Sequence, residues 1–148
     1  MKIYLGADHA GYLLKNEIIK HLENNYEVID CGTNDNTSVD YPDFARLVCE
    51  NIKDGNLGIL VCYTGIGMSM CANKYKGVRA GLVGKVEDAV LTREHNNANC
   101  LCLSAKNTET SLALEIVDAF LKTEFAGGRH ERRVNKVMEF ENGQKEKE

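Results

Sequence analysis

The sequence contains no apolar run that approaches the roughly 20 residues needed by a membrane-spanning helix. The opening MKIYLGADHAG also lacks the charged, apolar and small-residue regions of a secretion signal. We therefore expect a cytoplasmic protein with no membrane partner. At 148 residues the chain is long enough for one domain over 1–148.

An excess of positive charge is missing as well. The formal net charge is -4 and the pI is near 5.6. This balance argues against a nucleic-acid partner, because binding to phosphate backbones relies on Lys and Arg. Positive charge is concentrated instead in GGRHERRV, residues 127–134, which suits a small anionic ligand better than a polymer.

The six cysteines include no Cys-x-x-Cys pair, which disfavours a thiol redox protein. Cys100 and Cys102 are separated by one residue in NCLCLS, so they are expected on one face of a strand. Zinc pairs usually leave two to four residues between ligands, so a structural zinc site is not expected. We interpret all six as reduced thiols.

Short apolar strands alternate with segments of helical periodicity along the chain. This pattern predicts an α/β fold in which helices cover both faces of a mostly parallel sheet. A further helix and a frayed tail are expected at about 129–148, because the final ENGQKEKE has nothing apolar to bury. The predicted strands are KIYLG, YEVIDCG, LGILVC, VRAGLV and NCLCLS, and the predicted helices of the alternation are LLKNEIIKHL, DFARLVCENI, MSMCANKY, EDAVLTREH and SLALEIVDAFL.

Ligands of open parallel sheets bind beyond the carboxyl ends of the strands. The loops of interest are therefore GADHAG, CGTNDNTSVDYPD, CYTGIGMS and the region around TREHNNAN. His95 follows a predicted helix and precedes the fifth strand, and we place it near this edge of the sheet. It could move protons near neutral pH, or it could be a surface histidine at a helix end.

The most informative stretch is LGILVCYTGIGMSMCANK, in which a buried strand delivers Cys62 into a glycine-containing loop. Gly65 and Gly67 allow successive N–H groups to converge on an anion, and the same field favours a thiolate at Cys62. Cys62 is then a candidate base or nucleophile, or alternatively a small core residue beside a turn. A dinucleotide site fits less well, because Met70 stands where the fingerprint needs a glycine.

Two further groups could contact an anionic ligand. Arg129 and Arg133 are four residues apart, so in a helix they share a face, while His130 would point elsewhere. The two arginines could bind one phosphate together, or they could form a solvated basic helix. Asp8 and His9 directly follow the first strand and could bind a sugar hydroxyl and a phosphate, although Asp8 could equally cap the next helix.

Five motifs occur together and in order, namely GADHAG, DYPDFA, CYTGIGMSMCANK, REHNNAN and GGRHERRV. This set, which spans nearly the whole chain, closely resembles ribose-5-phosphate isomerase type B. That family also includes allose-6-phosphate and galactose-6-phosphate isomerases. The resemblance implies a Rossmann-like three-layer α/β/α fold with a five-stranded, mostly parallel sheet. It also implies a homodimer, or a dimer of dimers, with its active site at the dimer interface.

The resemblance implies a role for each matching residue. Cys62 matches the base that carries a proton between C1 and C2 of the open-chain sugar phosphate, and His95 matches the residue that opens the furanose ring. Such isomerisation passes through an enediolate, which needs a base and fixed oxyanion donors but neither a metal nor an organic cofactor. The other matching positions are Thr64 and Asp8 as helpers of proton transfer, Asn96 with Tyr63, Thr64, Gly65, Ile66 and Gly67 at the sugar oxygens, Arg129, Arg133 and His9 at the phosphate, and Tyr41 lining the pocket.

The sequence departs from the family pattern at two positions. Tyr63 stands where many members have Gly, and Lys106 stands where relatives commonly place an Arg, which leaves a point charge instead of a bidentate donor. The expected reaction interconverts ribose 5-phosphate and ribulose 5-phosphate. A six-carbon substrate such as allose 6-phosphate, or a sugar-phosphate-binding domain without turnover, is the alternative.

Overall fold

The computed structural model describes residues 1–146, with side chains described as far as Gly143. Five strands alternate with five helices, and a sixth helix ends the described chain. The strands are β1 Lys2–Ala7, β2 Glu27–Asp30, β3 Leu57–Cys62, β4 Ala80–Leu82 and β5 Cys100–Ser104. The helices are α1 Tyr12–Leu22, α2 Tyr41–Cys49, α3 Ile66–Ala72, α4 Val86–Glu94, α5 Thr110–Lys122 and α6 Arg129–Glu146.

The strands form one sheet in the order β2-β1-β3-β5-β4, and every neighbouring pair is parallel. The predicted α/β architecture with a five-stranded parallel sheet is therefore confirmed. All six residues of the central strand β3 are buried, as expected of a parallel strand covered on both faces.

Two apolar clusters cover the two faces of the sheet. One contains buried residues of α1, α4 and α5, with Phe120 and Ile18 completely buried. The other joins α2 and α3 to the opposite face and contains Met68 and Val48. The residues of β3 divide between the clusters in alternation, because successive side chains of a strand point to opposite faces.

The predicted elements differ from the observed ones mainly at their ends. Pro42 lies in the first turn of α2, as predicted, because its fixed backbone angle suits a helix start. Helix α3 begins at Ile66, earlier than predicted, and β4 is shorter than VRAGLV. Helix α6 continues to Glu146, whereas fraying was expected from Glu141 onward; residues 147–148 of that expected tail lie outside the described residues.

Across residues 1–146, no helix has both the length and the apolar character needed to cross a membrane.

Candidate active site

The carboxyl ends of the three central strands meet at one edge of the sheet. The Asp8 N–H donates to the carbonyl oxygen of Val61 at 3.2 Å, which holds the end of β1 beside the end of β3. The Lys106 N–H donates to the carbonyl oxygen of Tyr63 at 2.8 Å, which holds the residues after β5 beside the same loop. We call the residues gathered here the carboxyl-edge group: Asp8, His9, Tyr41, Cys62, Tyr63, Thr64, Gly65, Ile66, Gly67 and Lys106.

Cys62 is the last residue of β3 and is 5% exposed. The Gly65 N–H donates to its Sγ at 3.2 Å, so amide hydrogens do converge on the sulfur, as predicted. Burial nevertheless raises the pKa of the Cys62 thiol above its ordinary value, more than hydrogen bonding from Met68, Gly65 and Thr64 lowers it. The amides therefore favour a thiolate, as predicted, but desolvation outweighs them and the pKa is raised overall.

The glycines of the loop are required by its close packing. Gly65 precedes α3 with φ at 78°, a left-handed conformation that favours glycine. A Cβ atom there would lie 2.5 Å from Leu82 Cδ1. A Cβ atom at Gly67 would lie 2.6 Å from Cζ of Tyr41, so the Tyr41 ring rests directly on the loop. This contact places Tyr41 in the carboxyl-edge group.

Asp8 and His9 are both fixed by backbone amides. Oδ1 of Asp8 accepts hydrogen bonds from the Ala10 and Gly11 N–H groups, each at 3.0 Å, so Asp8 does organise the turn before α1. Its second carboxylate oxygen keeps hydrogen-bonding capacity for a ligand. Nδ1 of His9 accepts from the Val39 N–H at 3.2 Å, which leaves Nε2 as the nitrogen able to donate to an anion.

The two positions that depart from the family pattern contact each other. Nζ of Lys106 lies 5.5 Å from the centroid of the Tyr63 ring, a cation–π distance. Tyr63 is 54% exposed and Ile66 is 48% exposed, so these side chains form an open rim on the loop that follows Cys62. Oγ1 of Thr64 accepts from the Ile66 N–H at 3.3 Å, which fixes the middle of the loop.

A second group of predicted residues lines a groove of about 970 Å³ beside α6. This α6 groove lies between α6, the strand β4 and the ends of α3 and α4. His95, Asn96 and Arg133 line it. Arg129, one helical turn before Arg133, is exposed and is not among the lining residues.

The structure places His95 at the opposite edge of the sheet from Cys62. His95 is the cap residue that ends α4, and the following segment enters β5 at its amino end, where the Gly58 N–H donates to the Asn99 carbonyl oxygen at 2.9 Å. The expectation that His95 lies near the carboxyl edge is wrong, because a segment that precedes a parallel strand reaches the amino edge. The six residues of β3 span about 17 Å, so the two groups lie far apart within the chain.

His130 is a further residue of the α6 groove, which sequence reasoning missed. Its ring stacks on that of His95, with the centroids 4.2 Å apart and the planes 12° from parallel. The expectation that His130 points away from the ligand site is therefore wrong. The available signal was the spacing of His130, Val134 and Met138, since this stripe of every fourth residue is the half-buried face of α6.

The arrangement provides the parts of an acid–base site in two halves. The carboxyl-edge group offers a sulfur base, fixed amide donors and the carboxylate of Asp8. The α6 groove offers His95, an amide side chain at Asn96 and the cation of Arg133. Proton transfer at carbon needs a base together with oxyanion donors, and a phosphorylated substrate needs a cation.

Comparison with known proteins relates this geometry to one family. The family described as Ribose/Galactose Isomerase matches residues 3–137. A probable ribose-5-phosphate isomerase B of Mycoplasma genitalium is 47% identical over 144 residues, which cover 94% of this chain and 95% of that protein. The structure of ribose-5-phosphate isomerase B from Clostridium thermocellum is similar with a TM-score of 0.94 and 50% identity, covering 97% of this chain and 99% of that one.

A second solved structure, that of the Mycoplasma genitalium ribose-5-phosphate isomerase B with bound ribulose-5-phosphate, has a TM-score of 0.92 and 46% identity. It covers 95% of this chain and 96% of that chain.

Proposed function

Since the chain belongs to the ribose/galactose isomerase family, we propose that it interconverts ribose 5-phosphate and ribulose 5-phosphate, with Cys62 as the base. The observation that carries this proposal is the sulfur of Cys62, held by amide hydrogens at the carboxyl edge of the sheet. Ligands of this architecture bind at that edge. The similarity to a protein that binds ribulose-5-phosphate adds the class of ligand.

In the proposed reaction, His95 first opens the furanose ring by proton transfer, assisted by Thr64 and Asp8. Cys62 then carries a proton between C1 and C2 through an enediolate. The loop from Tyr63 to Gly67, together with Asn96, holds the sugar oxygens and stabilises the developing oxyanion. Because the proton returns to the neighbouring carbon, the reaction balances without an external oxidant or reductant.

The phosphate is proposed to bind Arg129, Arg133 and His9. The fork-shaped guanidinium of Arg133 suits a phosphate, and Nε2 of His9 retains its capacity to donate. Lys106, whose Nζ lies over the Tyr63 ring, is proposed to add a point charge at the rim.

The active form is proposed to be a homodimer, in which one protomer supplies Cys62 and its partner supplies His95 and Arg133. The separation of the two groups along β3 supports this, because a five-carbon sugar phosphate is shorter than the strand. Exposed apolar side chains at the carboxyl edge, including Tyr63, Ile66 and Leu82, offer a surface for a second copy. A C2 dimer forms two equal composite sites from such a pairing.

The cytoplasm is the proposed location. All six cysteines are free in the structure, which suits a reducing compartment.

The decisive experiment is solvent deuterium exchange with ribose 5-phosphate, measured on the wild type and on Cys62→Ser. We expect the wild type to incorporate deuterium at the C2 position of ribose 5-phosphate. Cys62→Ser should lose nearly all exchange and turnover but keep substrate affinity, because the hydroxyl is a much weaker acid than the thiol. Arg133→Ala is the matched contrast, and it should mainly weaken binding.

Loss of both binding and exchange in Cys62→Ser would instead indicate a folding role for this buried residue. If the wild type binds ribose 5-phosphate but exchanges no deuterium, the chain is a sugar-phosphate-binding domain without turnover. Parallel assays with allose 6-phosphate decide between five-carbon and six-carbon substrates.

A further inference from the structure

The contact between His130 and His95 is the point where the start of α6 meets the end of α4. His130 is the second residue of α6, and its ring lies face to face with that of His95 at a centroid distance of 4.2 Å. The interplanar angle of 12° is close to parallel, so the contact is a stack over the ring face and leaves the ring edges accessible. Proton transfer by an imidazole takes place at those edges, where the nitrogens lie.

Little else in the described residues fixes the His95 ring. Its side chain is 42% exposed, and its nearest charged partner is Oε1 of Glu94, 3.9 Å from Nε2. That distance is too long for a hydrogen bond, and an exposed ion pair of this kind contributes little. The stack on His130 is therefore the main contact that restricts the rotation of the imidazole.

Several charged groups surround the stack. Desolvation, followed by the positive charges of His95, Arg129 and Arg133, lowers the pKa of His130, while Glu94 acts in the opposite direction. This direction of shift favours the uncharged form of His130. A neutral ring can stack on imidazole or on imidazolium, because the face of a neutral aromatic ring accepts a cation without like-charge repulsion.

We propose that His130 is a positioning residue for His95, whose ring it holds in the orientation needed to open the cyclic sugar phosphate. The inference rests on the proposed function, because it assumes that His95 performs the ring opening. It assigns His130 no contact with the reacting carbon atoms.

The chemistry of the two sugars supplies a selective test. Ribose 5-phosphate closes to a furanose through its C4 hydroxyl, so it must be opened before isomerisation. Ribulose 5-phosphate has its carbonyl at C2 and its O5 blocked by phosphate, so it cannot close a five-membered ring. A defect in ring opening therefore slows the reaction of ribose 5-phosphate but spares deuterium exchange at C1 of ribulose 5-phosphate.

The variants His130→Ala and His130→Phe separate stacking from hydrogen bonding. His130→Ala removes the stack, and we expect kcat with ribose 5-phosphate to fall about 10- to 100-fold with little change in KM. Exchange from ribulose 5-phosphate should stay within about twofold of wild type, since it needs no ring opening. His130→Phe keeps an aromatic face without a nitrogen and should restore most of the lost kcat.

A second readout examines the stack directly. In the wild type, the Cε1 proton of His95 should show a ring-current shift in its NMR spectrum, assigned by comparison with His95→Asn. The shift should disappear in His130→Ala and return in His130→Phe.

Several results would overturn this inference. If His130→Phe is as impaired as His130→Ala, with KM raised for both sugars, His130 binds the phosphate through its nitrogen. Unchanged kcat in His130→Ala would also reject the positioning role. These results differ from failure of the proposed function, in which the wild type itself shows no deuterium exchange with either sugar.

Discussion

At Cys62, burial and hydrogen bonding act on the thiol in opposite directions. The amides of the loop stabilise a thiolate, and the Gly65 N–H contacts the sulfur at 3.2 Å. Burial favours the neutral thiol and has the larger effect, with a smaller contribution of the same sign from Asp8. The Cys62 thiol is therefore protonated at neutral pH, and its thiolate fraction increases as the pH rises toward the raised pKa.

This balance predicts the pH dependence of Cys62 alkylation in the ligand-free protein. The rate of modification by iodoacetamide should rise about tenfold per pH unit below the thiol pKa, because only the thiolate reacts. In the folded protein the midpoint should lie above that of the same residue in urea, where burial is lost. The mass of the peptide containing Cys62 measures the modification separately from the other five cysteines.

A folded-state midpoint at or below the one measured in urea would contradict this prediction and show that the amides outweigh burial. If the pKa of Cys62 is raised as predicted, kcat/KM for ribose 5-phosphate should also increase from neutral toward alkaline pH, because more of the thiol is then ionised.

The sequence predicts individual site residues unequally. The apolar run LGILVC and the glycines after it were enough to predict amides converging on Cys62, because strand, turn and sulfur are adjacent in the chain. The magnitude of desolvation was not predictable, since it depends on what packs over the loop, such as the Tyr41 ring on Gly67. The edge occupied by His95 was predictable in principle, because a residue just before a parallel strand lies at the amino edge.

At the scale of elements, α1 is tied to the edge strand β2 by a partly buried ion pair. The side chain of Lys15 is fully buried, and its Nζ donates to Oδ1 of Asp30 at 2.6 Å and to Oδ1 of Asn34 at 2.8 Å. Partial burial acts to raise the pKa of Asp30, but hydrogen bonds from Lys15 and from the Gly32 N–H, with the Lys15 charge, lower it overall. The pair therefore stabilises the fold at pH values at which Asp30 is ionised.

Asp30→Asn should reduce the free energy of unfolding by about 2 kcal/mol at neutral pH, because it leaves the buried Lys15 charge without its carboxylate. The expected loss is below the roughly 3 to 5 kcal/mol of a fully buried pair, since the Asp30 side chain is 34% exposed. Urea denaturation measures the difference. Glu27→Gln is the matched control, because it removes the same charge from the exposed start of β2.

The sign of the pH dependence follows from the lowered pKa of Asp30. The contribution of ionised Asp30 to the free energy of unfolding is fully present above its unfolded-state pKa of about 4. It is lost as the pH falls through the folded-state pKa. The difference in the free energy of unfolding between wild type and Asp30→Asn should therefore become smaller in acid. A gap that stays constant down to about pH 2 would contradict the ion pair as its cause.

The elements themselves were largely predictable, and their arrangement was not. Apolar runs and helical spacing predicted the strands and the helices of the alternation, because each strand or helix buries the apolar side chains of its own sequence. The order β2-β1-β3-β5-β4 depends on contacts between residues far apart in sequence, which periodicity does not report. The stack of His130 on His95 was missed for the same reason, since it joins α6 to the end of α4.

At the scale of the whole molecule, the proposed catalytic residues lie at opposite edges of the sheet. Cys62 ends β3 at the carboxyl edge, and His95 lies beyond the end of α4 near the amino edge. The proposed site therefore combines two chains, because both residues act on one sugar phosphate in the proposed reaction. In a C2 dimer, each of the two sites takes Cys62 from one protomer and His95 from the other.

Heterodimers purified through two different affinity tags test this arrangement. A heterodimer of Cys62→Ser with His95→Asn contains one intact composite site and one doubly defective site, so it should isomerise ribose 5-phosphate at about half the wild-type rate. A heterodimer of wild type with the double variant has one defect in each site and should be nearly inactive. If each chain carried its own complete site, these two results would be exchanged, since only the second heterodimer would then keep an intact chain.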